Sequence, residues 1–363
     1  MNKIKVLIID DSIVVRKVLE DIIQSSDEME VIGTASDPYE AREIIKRARP
    51  DVITLDVEMP KMDGLTFLDK LMRAIPTPVI MISSLTTQNA DITLKAMELG
   101  AVDYLPKPTK GVFSAFDEIS ADVIEKIKAA NSVPRSFLEQ HKLRNKQEID
   151  NKRVLNSKEL DVIKKTTRFS KLFPLIAIGA STGGTVAIEQ LLKRLNKEVM
   201  PPIAIVQHIP PFFSKSFADR LNMVLPFNVF EIEGTRPIKK GDVVIAQGGM
   251  HLLLERTIAG YSAICKDGPK VNRHKPSVDV LFRSVANVSG GSAIGIMLTG
   301  MGADGATGML EMKNEGCLNL AQNQESCAVY GMPKAVVENG AASIALSIEG
   351  IADYLNRIFE GNF

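Results

Sequence analysis

Three aspartates stand directly behind apolar runs near the start of the chain. Asp10 and Asp11 follow KVLII, and Asp56 closes DVITLD. Ser83 ends PVIMIS, and Lys107 lies just past AVDYLP. In a parallel βα sheet, residues that follow different strands are delivered to one common edge, so all five converge although they are distant in sequence. Three carboxylates in so small a space need a compensating cation, and oxygen ligands of this kind suit a hard divalent ion such as Mg²⁺. With Asp10 and Asp11 holding the ion, Asp56 is left as a nucleophile for a phosphoryl group. The ion and the Lys107 ammonium offset the incoming charge, and Ser83 can hydrogen-bond the phosphoryl once attached. Taken singly, Asp11 or Ser83 would equally cap a helix and Lys107 would be an ordinary surface lysine. Their joint occurrence is what points to phosphoryl transfer.

A second constellation begins at Gly179-Ala180-Ser181-Thr182-Gly183, which fits G-x-S-x-G between an apolar run and an amphipathic stretch. Flanking glycines allow a sharp turn that holds the hydroxyl at the sheet edge. A serine hydroxyl is a weak nucleophile near neutral pH, so it needs a base within hydrogen-bond reach and a third group to hold that base. Of the four histidines, His141 lies in a charged stretch and His251 begins an expected strand. His208 ends PIAIVQH, the next βα unit after Ser181, which puts the two side by side at one edge. His274, in VNRHKPSVD, is a rival that spacing does not exclude. Asp304 follows the run SAIGIMLTG at the same edge, where it could orient an imidazole. The competing reading makes GASTGG and TGMGADGATG cradles for a phosphate or nucleotide. Neither string fits G-x-G-x-x-G or G-x-x-x-x-G-K-[ST], which weakens that reading.

These residues need elements to position them, and the pattern supplies two sets. From Lys5 to Asn131, apolar runs alternate five times with amphipathic stretches. Strands rich in Val and Ile without polar alternation are buried on both faces, so the expected fold is α/β, a (βα)5 unit with a parallel sheet over 1–131. Residues 132–171 form a charged linker, with eleven Lys or Arg against five Asp or Glu between Pro134 and Lys171. Over 172–363 the βα rhythm returns as a doubly wound α/β domain with a mainly parallel sheet. A β-rich, irregular insertion is expected there, with strands joined by Gly-containing turns over Val243 to Leu254 and Tyr261 to Cys265. The two sheets share no turn motif, so no internal repeat is read.

Bulk composition narrows the partners. With 45% hydrophobic and 24% charged residues the chain is an ordinary globular one, and 363 residues exceed a single core. Forty-four basic side chains balance 44 acidic ones, so no overall basic field argues for nucleic acid or an anionic membrane. No basic helix-turn-helix follows Phe173. The three cysteines, Cys265, Cys317 and Cys327, show neither a C-x-x-C pair nor metal-ligand spacing. The N-terminal run is too short for a membrane span or a signal sequence, so no membrane insertion and a cytoplasmic location are expected.

The strings IIDDS, LDVEMPKMDG, MISS and YLPKP resemble the response-regulator receiver family. That resemblance implies Mg²⁺ on Asp10, Asp11, Asp56 and the backbone carbonyl of Glu58, phosphorylation of Asp56, sensing by Ser83 and Lys107, and a chemotaxis histidine kinase as donor. The strings IAIGASTGGTVAIEQLL, QHIPPFFSKSFADRL, NRHKPSVDVLFRSV and IMLTGMGADGATGM resemble the catalytic domain of chemotaxis protein-glutamate methylesterases of the CheB type. The receiver–linker–catalytic order matches that family too. The resemblance implies hydrolysis of glutamate γ-methyl esters on methyl-accepting chemoreceptors with release of methanol, and deamidation of receptor glutamines. It makes Ser181 the nucleophile, His208 the base and Asp304 its support, with backbone N–H groups of Thr182 and Met301 as the oxyanion hole and no cofactor for the ester chemistry. The choice of His208 over His274 is taken from this resemblance. Lys275 stands where arginine is common in the family, and the linker has no recognisable counterpart. The domain order also implies that the unphosphorylated receiver restrains the esterase. Cleavage within 142–165 and removal of the receiver is therefore expected to raise basal esterase activity, and an unchanged rate would count against that restraint.

Overall fold

A computed structural model describes residues 3–84, 86–107, 116–135, 137–139 and 174–361. The expected linker falls almost wholly outside these residues. The chain divides into two compact units, Met1–Asp150 and Asn151–Phe363.

The first unit alternates β1 (Ile4–Ile9), α1 (Ile13–Gln24), β2 (Met29–Ala35), α2 (Pro38–Ala48), β3 (Val52–Asp56), α3 (Gly64–Ala74), β4 (Val79–Ser83), α4 (Thr87–Glu98), β5 (Asp103–Pro106) and α5 (Phe116–Ser132). Its five strands pair in the order β2-β1-β3-β4-β5, all parallel. Every residue of β3 and β4 is buried, as the unalternating apolar runs require. The helices read as amphipathic for a visible reason. In α1 the buried residues are Val15, Leu19, Ile22 and Ile23, one stripe at helical spacing, and the Ser12 side chain caps the start by accepting from Val15 N–H. Asp63 caps α3 in the same way through Thr66 N–H.

The second unit is built on β6 (Leu175–Ala180), α6 (Gly184–Leu192), β7 (Ile203–Gln207), α7 (Phe213–Val224), β8 (Asn228–Glu231), β9 (Thr235–Ile238), β10 (Asp242–Ile245), β11 (His251–Thr257) and β12 (Gly260–Lys266). It continues with α8 (Val278–Ser289), β13 (Ala293–Met297), α9 (Ala306–Asn314), β14 (Leu318–Gln322), α10 (Met332–Glu338), β15 (Ile344–Leu346) and α11 (Ile348–Glu360). Seven strands form a sheet in the order β15-β14-β13-β6-β7-β10-β8, and every pairing is parallel. The insertion is a separate three-stranded antiparallel sheet, β11-β12-β9. The stretch from Val243 to Leu254, expected within the insertion, is shared between the two sheets. Asp242–Ile245 joins the main sheet, and only from His251 does the chain enter the small one. The apolar pattern is the same on both sides of the Gly248-Gly249 turn, so periodicity could not assign the two strands to different sheets.

From β6 the chain first builds outward through β7 and β10, then returns to place β13 on the other flank of β6. The order therefore reverses beside β6, and in open α/β sheets a crevice opens at the carboxyl ends of the strands at such a point. Gly179, late in β6, sits under α8 so closely that an added Cβ would lie 2.3 Å from Val278 Cγ1. Overpacking of this kind costs about 1–3 kcal/mol. Gly179→Ala should lower the urea unfolding midpoint and, by displacing α8, reduce activity at the neighbouring crevice as well; a variant with wild-type stability would contradict this packing.

Candidate functional site

In the first unit the carboxylates of Asp10, Asp11 and Asp56 lie at the strand ends with ligand oxygens within 4.8 Å of one another. Lys107 Nζ donates to Asp56 Oδ2 at 2.7 Å and stands 3.7 Å from Asp10 Oδ2. Backbone N–H groups complete part of the shell, with Ser12 on Asp10 Oδ1 at 2.8 Å and Glu58 on Asp56 Oδ1 at 3.2 Å. Asp10 Oδ2 is buried with no hydrogen-bond partner. Burial, then the charge of Asp56, pushes the Asp10 carboxyl up to about 6, and burial likewise raises Asp56. An orphaned buried oxygen beside two other carboxylates is the environment a divalent cation relieves, so the donor set fits Mg²⁺. Ser83, fully buried, ends the adjacent strand, and its carbonyl accepts from Lys107 N–H at 2.8 Å. Gly64, the first residue of α3, lets that helix close over Asp56, because a Cβ there would lie 2.0 Å from the Asp56 carbonyl oxygen.

In the second unit β6 and β7 are in register through Ala180 and Gln207, so Ser181 and His208 leave adjacent strands together. His208 N–H donates to the Ala180 carbonyl at 3.1 Å. The turn at Ser181 is held on both sides. Ser181 N–H donates to the Thr299 carbonyl at 3.0 Å, while the Ser181 carbonyl accepts from Gly184 N–H at 2.7 Å and from Gln207 Nε2 at 2.9 Å. Gly183 opens α6 at φ +75°, the left-handed region that glycine adopts without strain. Gly300 packs against the Ser181 turn so tightly that a Cβ would lie 2.8 Å from Ser181 Cβ. Met301 follows it, and Thr182 follows Ser181, so the two expected oxyanion donors lie on the two loops that meet at the serine.

Asp304 Oδ2 accepts from His208 Nε2 at 2.8 Å. That bond makes Nε2 the protonated nitrogen and leaves Nδ1 as the acceptor, and Nδ1 is buried without a hydrogen-bond partner. The rival His274 is not remote. Its ring stacks on His208 with centroids 3.7 Å apart and planes at 11°. Spacing could not separate the two because both reach the site, yet it is His208 that carries the bond to Asp304.

Asp304 is 2% exposed and is surrounded by donors. Ser277 Oγ and Asn272 Nδ2 each reach Oδ1 at 2.8 Å, and Val278 N–H reaches Oδ2 at 2.6 Å. Burial pushes its carboxyl upward, but the bonds from His208, Asn272 and Ser277 outweigh it and hold the group well below the usual carboxylate range. Val278 is the first residue of α8 and Ser277 its N-cap, so Asp304 occupies the place of an N-terminal cap for that helix. Sequence reasoning did not pick out Gln207, Thr299, Asn272, Ser277 or Asp279. The last three lie in the string VNRHKPSVD, whose density of polar side chains before a helix was the available signal.

The family model described as CheB methylesterase matches residues 176–355, and that described as Response regulator receiver domain matches residues 6–112. A protein of Hydrogenovibrio crunogenus named protein-glutamate methylesterase/protein-glutamine glutaminase is 46% identical, with 97% of this chain and 98% of its own covered. One of the same name from Methylobacillus flagellatus is 48% identical over 98% of this chain and 96% of its own. The solved catalytic domain of the Thermotoga maritima CheB methylesterase covers 51% of this chain and 98% of its own, at 35% identity and a TM-score of 0.49. Fold and likeness together define a response regulator whose output domain is a methylesterase of α/β architecture. The chain belongs to the family of CheB protein-glutamate methylesterases. Among the described residues no helix is long and apolar enough to cross a membrane.

A carboxylate held below its unfolded value of about 3.9 stabilises the fold fully above that pH, and loses this contribution as pH falls towards the folded value. Asp304→Asn should therefore be less stable than the wild type by a constant margin near neutrality, with the margin shrinking below about pH 4. Urea unfolding across pH 3 to 7 reads this, and a margin that widened on acidification would reverse the assignment.

Proposed function

We propose that the protein hydrolyses γ-methyl esters of glutamyl residues on methyl-accepting chemoreceptors, deamidates receptor glutamines at the same site, and is switched on by phosphorylation of Asp56. The observation that carries the proposal is the pairing of Ser181 with His208 at the ends of adjacent strands, with His208 Nε2 bound 2.8 Å from a buried Asp304 carboxylate. That arrangement leaves Nδ1 to take the Ser181 proton as Oγ attacks the ester carbonyl. The developing oxyanion is met by backbone N–H groups of Thr182 and Met301. His208 then returns its proton to the departing methoxide, giving methanol, or to the departing amide nitrogen, giving ammonia. Water attacks the acyl-serine with His208 again as base, restoring the serine and leaving a glutamate carboxylate. Asp304 keeps the imidazole in the Nε2–H form and stabilises the imidazolium between these steps. His274, stacked flat on His208, blocks the ring from turning away.

In the receiver, Asp10, Asp11 and Asp56, with the Glu58 carbonyl, would hold Mg²⁺, which supplies positive charge for phosphoryl transfer. Asp56 Oδ accepts the phosphoryl group from a chemotaxis histidine kinase, Lys107 exchanges its bond with Asp56 for one with the phosphoryl oxygens, and Ser83 bonds the same group. A cytoplasmic site of action follows, where the kinase and the receptor's glutamyl residues meet.

Methanol release from methylated receptor membranes, with and without a small phosphodonor and Mg²⁺, tests both halves. Ser181→Ala should lose at least about a thousandfold in kcat, the scale of triad removal; full activity would remove the nucleophile. The donor should accelerate the wild type and leave Asp56→Asn unchanged. Turnover abolished by His274→Ala and spared by His208→Ala would transfer the base role to His274.

A further inference from the structure

Asp304 is not the only buried carboxylate at the head of α8. Asp279, 4% exposed, lies within the first turn of that helix and turns its Oδ1 to Gly308 N–H at 2.6 Å, at the start of α9. Thus Asp304, from the loop before α9, caps α8, while Asp279, from α8, caps α9. The two carboxylates are held side by side by this exchange, since Asp279 N–H also reaches Asp304 Oδ1 at 3.4 Å. Two anions so placed repel each other, and burial together with the Asp304 charge raises the Asp279 carboxyl above its ordinary value.

One side chain bridges them. Asn272 Nδ2 donates to Asp279 Oδ2 at 2.6 Å and to Asp304 Oδ1 at 2.8 Å. An amide nitrogen has two hydrogens, one for each carboxylate, and carries no acceptor that would add to the negative charge. The backbone is shaped for this reach. Asn272 and Arg273 have φ of +52° and +70°, and Val271 and His274 exchange N–H···O=C bonds of 3.0 and 2.9 Å around them. Positive φ at both central residues marks a tight two-residue turn, and asparagine tolerates that conformation better than most side chains. Asn272 itself is exposed at the surface, with only its amide directed inward.

We propose that Asn272 is a positioning residue for the esterase reaction, bridging the Asp279–Asp304 pair and offsetting part of its repulsion so that Asp304 holds His208 in its reactive orientation. This rests on the functional reading above. The group it positions through Asp304 is His208, which faces Asp304 from the β13–α9 loop and His274 from the turn. Beyond them stand Asp279 and Arg283 on α8 and Glu311 on α9, the last two paired at 3.1 Å. Removing the amide dipole leaves the two carboxylates less compensated, so the imidazolium is favoured and His208 becomes more basic.

Asn272→Gly is the decisive variant, because glycine keeps the positive φ of the turn and deletes only the amide. Its kcat for methyl-ester hydrolysis should fall about tenfold, the scale of one lost hydrogen bond to a charged group, with KM within about twofold. The acid limb of its kcat/KM profile should move to higher pH, because the base must be neutral. Asn272→Asp, which tolerates the same turn but adds a third carboxylate, should fall further. A readout that needs no turnover is the NMR titration of the His208 ring, which should shift upward in Asn272→Gly. If the wild type proves inactive on receptor esters, the functional reading fails while that titration still decides the role of Asn272. Wild-type kcat together with an unmoved His208 titration in Asn272→Gly would overturn the proposal, as would a loss confined to KM.

Discussion

A carboxylate shut away from water persists as an anion only where donors replace its hydration, and the catalytic unit is organised around one that meets this condition. Asp304 gathers an imidazole, a serine hydroxyl, an asparagine amide and the first N–H of α8. The imidazole comes from the end of β7 and the other three donors from the VNRHKPSVD turn and the head of α8 that it leads into, so these segments and the loop after β13 are fixed relative to one another by a single group. The positive end of α8 adds a favourable field at the same point. His208 is oriented because Asp304 is, and Ser181 is placed because β6 and β7 are in register beside it.

Both units use the same geometric rule, that parallel strands release their chains at one edge, yet they reach opposite electrostatic outcomes. In the receiver, Asp10 keeps a buried oxygen without a partner and its carboxyl is raised to about 6. That cluster is short of positive charge, which is why it fits an external cation. Asp304 has its donors built in, and its carboxyl is driven the other way. The difference lies in the local backbone. After β1 only Ser12 N–H turns onto Asp10 Oδ1, whereas an entire helix start is aimed at Asp304.

This contrast also explains what the sequence made legible. Alternating apolar and amphipathic runs sufficed for the order of strands and helices, and edge convergence brought Asp10, Asp56 and Lys107 together, as it did Ser181 and His208. It could not choose between His208 and His274, since the rings are stacked and only a hydrogen bond distinguishes them. Nor could it find Gln207 or Thr299, whose contributions are hydrogen bonds to backbone atoms, most of them in loops remote in sequence. Asn272 escaped notice for a related reason. An exposed asparagine before a helix is ordinary, and its meaning depends on two carboxylates arriving from elsewhere. Gly248 and Gly249 mark the turn between Asp242–Ile245 and His251–Thr257, but both segments are apolar strands, so nothing local assigned them to different sheets.

The reciprocal capping of α8 and α9 has an evolutionary corollary. Active-site residues are usually expendable for folding, and replacing them often makes an enzyme sturdier at the expense of its chemistry. In the proposed mechanism the group that orients the base is also the cap of a core helix, and its neighbour Asp279 caps the next. Selection for a robust fold and selection for turnover therefore act on the same side chains in the same direction. Inactive descendants of such a domain would be expected to retain Asp304 long after they had lost Ser181.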